Sequence, residues 1–224
     1  MAEQYYKDAQ KLAQKEYRFC IAKGQYPYLP VLDDIIPKDR ASMGVDLGIV
    51  QVPAEYIVGT KTAGRTTAFA RNFMPLLAER TEFAMKWEKL CNAHLKEGIR
   101  DPIKVYEYMN RFYVEEGNKR VSVLKFFDAV TVPAQVTRIL PIKNGEKEVD
   151  IYYEFVNFYK YSKVNFIEFS KLGSYSVLQS LLGKAPEEPW TSEERNGFST
   201  TYYYFRQAYL ANGGRRLRTT VPPI

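Results

Sequence analysis

The stretch that decides the fold is Val114–Lys125, with the sequence Val-Glu-Glu-Gly-Asn-Lys-Arg-Val-Ser-Val-Leu-Lys. It is typical of a strand that enters a glycine turn and continues into the cationic first turn of a helix. Gly117 can adopt backbone angles closed to residues with a β-carbon, and the amides after it become unpaired donors at the positive end of the helix dipole. Lys119 and Arg120 add full positive charges. The stretch therefore predicts an anion-binding turn, with an ordinary strand-turn-helix corner as the alternative.

The segments before this stretch predict the elements that lead into it. Residues 105–114 have the β-branched and aromatic content of paired strands, and Met109–Arg111 would form the tight turn between them. Further upstream, Glu82–Glu97 has helical spacing, and Gly98 would cap that helix at its C-terminus. A helix, a hairpin and a second helix are thus expected in that order.

Five motifs in the right order resemble the N-terminal domain of the ParB and sulfiredoxin superfamily, over roughly residues 48–141. They are an opening strand V-P-x-x-x-I at Val52–Ile57, a polar turn at Thr60–Arg65, a G-[LI]-x-x-P-I helix end at Gly98–Ile103, a G-x-[RK]-R turn at Gly117–Arg120 and a closing strand at Val132–Val136. The resemblance implies a bacterial protein with an α+β fold, in which a small mixed sheet is flanked by helices. An N-terminal helical arm and a C-terminal helical cap would be added to that fold.

The resemblance also implies a nucleotide pocket. Members of the superfamily bind CTP in the DNA-partition branch and ATP in sulfiredoxin, so the expected cofactor is a nucleoside triphosphate, with Mg²⁺ as its companion. Carried over by position, the phosphate-binding residues would be Thr62, Arg65, Gly117, Asn118, Lys119 and Arg120. Such a set supplies the dispersed positive charge and the amide donors that a triphosphate needs.

Two departures from the family pattern limit the chemistry. Asn118 stands where sulfiredoxin needs a cysteine, so sulfiredoxin activity is not expected. The DNA-partition branch usually has a glutamate there, and an amide cannot act as a carboxylate base, so little or no hydrolysis is expected. Glu116 is the remaining candidate for a catalytic base or a magnesium contact. The alternative for Glu116 is a helix-entry carboxylate paired with Lys119 or Arg120.

Three functions stay open on these residues. The first is a regulatory or DNA-associated module that binds a nucleotide through its phosphates. The second is a nucleotide-dependent phosphotransferase with Glu116 as base, and the third is a non-catalytic interaction scaffold. No helix-turn-helix is evident, because Lys184–Pro189 is longer and richer in proline than the turn of that motif. DNA and a second copy of the chain remain open as partners.

Outside the resemblance, the sequence predicts three regions. Residues 1–47 would form a helical arm and an extended segment, 48–143 the nucleotide-binding domain, and 150–224 an aromatic-rich helical region. The arm has helical spacing with an expected buried stripe of Tyr6, Leu12, Ala13, Tyr17, Cys20 and Ile21. In the C-terminal region, Thr191 to Glu194 matches a capping box that would start a long helix.

Composition excludes several classes of site. A net charge of +6 is mild, the chain has no long apolar run, and its start lacks the hydrophobic stretch of a signal peptide, so we expect a cytoplasmic protein and no membrane partner. One histidine and two distant cysteines do not make the usual zinc sets or hydrolase triads. Cys20 and Cys91 are expected to be core residues.

Overall fold

The chain has an α+β fold, as its sequence predicted. The computed structural model describes residues 2–36 and 44–214, apart from the side chain of Arg65. The chain divides into two compact units, of which the first extends to Ile142 and the second begins at Lys143. The first unit combines a mixed sheet with helices, and the described part of the second unit is helical.

The first unit is built on a five-stranded sheet with the order β1-β5-β3-β4-β2. Its strands are β1 (Val45–Pro53), β2 (Ile57–Thr60), β3 (Ile103–Tyr108), β4 (Arg111–Glu116) and β5 (Thr131–Ile139). The pairs β1–β5 and β3–β4 are antiparallel, whereas β2–β4 and β3–β5 are parallel. The predicted hairpin is therefore confirmed, with Met109 and Asn110 both at positive φ in its turn.

The predicted opening strand at Val52–Ile57 is wrong. β1 ends at Pro53, a short 3₁₀ helix spans Ala54–Tyr56, and Ile57 begins the separate strand β2. Proline has no amide hydrogen for a strand ladder, and Pro53, at φ −59°, is the N-cap of the 3₁₀ helix. The motif thus connects β1 and β2, which are the two edge strands of the sheet.

Four helices complete the described part of the first unit, namely α1 (Ala2–Ala22), α2 (Leu32–Ile35), α3 (Glu82–Glu97) and α4 (Asn118–Phe126). Trp87 of α3 joins three of them. Its ring lies edge-on to Tyr6 of α1 with centroids 5.5 Å apart, and its Nε1 donates to Ser122 Oγ of α4 at 2.9 Å. All three side chains are fully buried, so the core lies between these helices and one face of the sheet.

The expected buried stripe of α1 is only partly correct. Tyr6, Ala13 and Cys20 are buried, but Leu12 and Ile21 are 47% and 54% exposed. Leu12 comes directly before the buried Ala13, and Ile21 directly after the buried Cys20. Consecutive residues of an α-helix point about 100° apart, so both side chains lie outside the buried stripe. The stripe that packs on α3 is therefore narrower than hydrophobicity predicted.

The second unit contains α5 (Lys147–Ser162), α6 (Ser174–Leu181) and α7 (Ser192–Ala211). Its interior is aromatic: Phe158 packs on Trp190 and on Tyr175, with ring centroids 5.8 Å and 5.1 Å apart. The predicted capping box at the start of α7 is confirmed, since Thr191 Oγ1 accepts from the Glu194 amide and Glu194 Oε2 accepts from the Thr191 amide.

No helix within residues 2–36 and 44–214 combines the length and hydrophobicity that crossing a bilayer requires.

Candidate phosphate-binding site

Gly117 forms a left-handed turn between β4 and α4, at φ +112° and ψ +18°. A Cβ built on this residue would lie 2.6 Å from Ile103 Cγ2, which is closer than real Cβ atoms approach. Two independent constraints, the backbone angle and the close approach of β3, thus require glycine here. Gly117 is also the N-cap of α4 and has no side chain, so no N-cap side chain accepts a hydrogen bond from the first amides of this nine-residue helix.

The end of β2 lies beside this turn. Asn118 Nδ2 donates to Thr60 Oγ1 at 3.4 Å, and Thr60 Oγ1 donates to the Val114 carbonyl at 2.9 Å. The Lys61 amide donates to the same carbonyl at 2.8 Å. Because β2 pairs with β4 in parallel, the polar segment that follows β2 and the first turn of α4 meet at one edge of the sheet.

Asn118 has an incompletely satisfied amide. Its Oδ1 is shielded from solvent and has no hydrogen-bond partner among the described residues. A shielded carbonyl oxygen without a donor is costly, and a donor supplied by a bound molecule would remove that cost.

Arg120 connects α4 to the segment before β3 through hydrogen bonds. Its guanidinium donates to the carbonyls of Asp101 at 3.2 Å and Pro102 at 2.7 Å, and it pairs with Glu116 at 3.4 Å. Sequence reasoning missed this role, although the Gly98–Ile103 motif and the G-x-[RK]-R turn occur together in the resemblance. Arg120 therefore contributes its positive charge to the turn, while much of its donor capacity is used within the protein.

Lys119 lies over an aromatic ring. Its Nζ is 4.5 Å from the centroid of Phe83, in the first turn of α3. Phe83 also lines a groove of about 260 Å³, together with Gly64, Thr67, Ala68, Leu77, Glu82 and Lys86. A recess with an aromatic wall thus adjoins the cationic turn.

The two remaining predicted ligands come from the polar segment after β2. Thr62 is exposed and is the N-cap of a short 3₁₀ helix at Ala63–Ala68, with no side-chain hydrogen bond at the cap. Arg65 belongs to that helix, and its side chain lies outside the described part of the structure.

Glu116 is an exposed carboxylate held by two cations. Its Oε2 lies 3.0 Å from Lys104 Nζ, and its Oε1 lies 3.4 Å from the Arg120 guanidinium. The hydrogen bond from Lys104, followed by the charge of Lys104, holds the pKa of this carboxyl below its usual range. A carboxylate stabilised in its ionised form is a weak proton acceptor. The contacts favour the helix-entry ion pair, with Lys104 as a partner that the sequence did not indicate.

Metal-binding groups and reactive thiols are not apparent in the described residues. No group of three or more His, Cys, Asp or Glu side chains within them is arranged to hold a metal ion. Cys20 and Cys91 are buried free thiols, and burial raises the pKa of both, as expected for core residues.

Comparison with known proteins finds likeness to solved structures alone. No protein-family model and no curated protein matches this chain. Three chains of known structure match, among them sulfiredoxin from Arabidopsis thaliana, at 19% sequence identity and a TM-score of 0.28. That match covers 39% of this chain and 82% of the sulfiredoxin chain.

Proposed function

We propose that the first unit is a nucleotide-binding module that holds the ligand's phosphates at the start of α4. The observation that carries the proposal is the left-handed Gly117 N-cap, which begins a helix without a side-chain cap at the point where the end of β2 arrives. Helix N-terminal amides and the positive end of the helix dipole stabilise phosphate oxygens. Cationic Lys119 and Arg120 directly follow the glycine and add to that field.

The class of ligand follows from the groove beside the turn. A phosphate alone would need only the amides and the charges, whereas the recess next to Lys119 has an aromatic and aliphatic wall. The ribose and base of a nucleotide would extend from the phosphates into this groove and pack on its apolar side chains. CTP and ATP are the nucleotides to test first. Mg²⁺ would arrive with the phosphates, since it keeps several waters and needs only one or two protein carboxylates.

Binding without turnover is the activity that this site supports best. Asn118 has no acidic group, and Glu116 is engaged by Lys104 and Arg120. A conformational response to the ligand would make the module a regulator, and a DNA-associated role is one form that such regulation could take. A phosphotransferase would require Glu116 to leave its lysine, and a pure scaffold would not require the uncapped helix start.

Titration calorimetry with CTP, ATP and ADP, with and without Mg²⁺, tests the proposal. We expect saturable binding of at least one nucleotide, and a loss of about tenfold in affinity in Lys119→Gln if its ammonium assists a phosphate. The matched control is Lys15→Gln, which removes the same charge from an exposed position of α1. Absence of heat with every nucleotide, or an equal loss in both variants, contradicts the proposal.

Incubation with labelled ATP and small hydroxyl compounds tests the alternative. Transfer of label that disappears in Glu116→Gln would identify a phosphotransferase. We expect no transfer, and the Glu116→Gln variant should bind the nucleotide as tightly as the wild type or more tightly, because one negative charge beside the phosphates is removed.

A further inference from the structure

An N-terminal segment, Pro30–Asp33, runs beside β2 and parallel to it. The Thr60 amide donates to the Pro30 carbonyl at 2.9 Å, and the Asp33 amide donates to the Lys61 carbonyl at 3.2 Å. Because β2 is an edge strand of the sheet, these bonds supply partners for backbone groups on its outer side. We call Pro30–Asp33 the strap. Its last residue is bound to Lys61, the first residue after β2.

The strap holds the side chain of Lys61 over the sheet. Lys61 Nζ lies 2.6 Å from Asp33 Oδ1 and 5.0 Å from the ring centroid of Tyr106 in β3. The side chain of Lys61 is 23% exposed and that of Asp33 is 49% exposed. Ion pairs with this access to water are weak, so a more highly charged anion nearby can replace the carboxylate.

The backbone of Lys61 adjoins the proposed phosphate turn. The Lys61 amide and the Thr60 hydroxyl both donate to the Val114 carbonyl. Thr60 Oγ1 also accepts from the side chain of Asn118, the first residue of α4. Lys61 is therefore one residue away from a direct contact with the start of α4. Its ammonium is carried on a flexible four-carbon stem, which gives it reach beyond its own backbone.

We propose that Lys61 is a further phosphate-binding residue and that Asp33 withholds it until a ligand arrives. This inference rests on the proposed nucleotide site at the start of α4. A nucleoside triphosphate carries several negative charges and the Asp33 carboxylate carries one, so the nucleotide attracts the ammonium more strongly. Rotation of the lysine stem transfers the ammonium from the carboxylate to the phosphates, while the two backbone hydrogen bonds of Lys61 stay in place. Asp33 thus lowers the affinity of the site for its ligand.

Calorimetric titration of Asp33→Asn with CTP and ATP, at about 0.15 M salt, tests this competition. Asparagine has nearly the same shape as aspartate but no charge. The variant releases Lys61, so its affinity should exceed that of the wild type by about three- to fivefold, which is the strength of a partly exposed ion pair. The matched control is Asp34→Asn, which removes the same charge from the exposed neighbouring residue in α2. The control should change the affinity by less than about twofold, because salt screens charges that make no contact.

A double-mutant cycle identifies the residue through which Asp33 acts. In a Lys61→Gln background, Asp33→Asn should no longer change the affinity, because the withheld ammonium is absent. A gain that persists in this background would show that Asp33 acts through the strap itself, and it would overturn the proposal.

The same titrations separate this proposal from the nucleotide site on which it rests. If the wild type binds a nucleotide and Asp33→Asn behaves like Asp34→Asn, the role of Lys61 is refuted and the nucleotide site stands. Binding that is detected in Asp33→Asn alone supports both. Absence of heat with CTP and ATP in the wild type and in every variant contradicts both.

Discussion

Replacing Gly117 by alanine should destabilise the first unit strongly. The new β-carbon would meet Ile103 Cγ2 at 2.6 Å, in the fully buried core beneath the sheet. Adding a methyl group to a packed core costs about 1 to 3 kcal/mol. Holding a residue with a β-carbon in the left-handed region costs about 1 to 2 kcal/mol more. We therefore expect Gly117→Ala to lower the free energy of unfolding by about 2 to 5 kcal/mol.

A matched glycine separates these two contributions. Gly24 is also left-handed, at φ +64°, but a Cβ there would have no atom within 4 Å. Gly24→Ala should cost only the backbone part, about 1 to 2 kcal/mol. Urea unfolding followed by Trp87 fluorescence measures both, in a Trp190→Phe background that leaves Trp87 as the single tryptophan. Equal costs for the two alanine variants, or a cost below about 1 kcal/mol for Gly117→Ala, would refute the geometry assigned to this turn.

Three further changes test the packing around the site and in the second unit. Ser122→Ala leaves the buried indole N–H of Trp87 without its acceptor and should cost about 1 to 3 kcal/mol in the same urea assay. Thr191→Ala removes a capping box and should cost the second unit about 1 kcal/mol, seen as an earlier loss of helical circular dichroism, whereas Thr191→Ser should retain most of it. Burial lowers the pKa of Lys125, which donates to the Ile57 carbonyl, to about 8. The unfolded chain then binds more protons at Lys125 above that pH, so the free energy of unfolding of the wild type should rise relative to that of Lys125→Met between about pH 8 and pH 9.5. Wild-type and Lys125→Met profiles that stay parallel over that range would contradict the lowered pKa.

Local chemistry made much of the fold predictable. Gly98 and Gly117 required positive φ, Met109–Arg111 separated two strand-like runs, and Thr191 stood three residues before Glu194. Each of these signals is contained within a few residues, so it could be interpreted without knowledge of the tertiary structure. All four were confirmed.

Interactions between distant residues were not predictable in the same way. β1 begins at Val45, but Gly48 at φ +71° interrupts its pattern, and a shift of register near it hides the alternation of a strand. The bond from Arg120 to the Pro102 carbonyl joins residues 18 apart. The sequence predicted that Arg120 binds a phosphate, because a positive charge after a glycine is typical of a phosphate-binding turn. Its carbonyl partners depend on how the end of α3 meets β3, which tertiary packing decides.

We propose that the amides at the start of α4 receive a phosphate. The most direct test is an NMR titration of ¹⁵N-labelled protein with CTP and ATP, followed through the backbone amide signals. We predict that the largest shifts occur at Asn118, Lys119 and Arg120, with smaller ones at Thr60–Thr62, and that inorganic phosphate moves the same three amides more weakly. Shifts confined to other residues, or none at millimolar nucleotide, would contradict the claim.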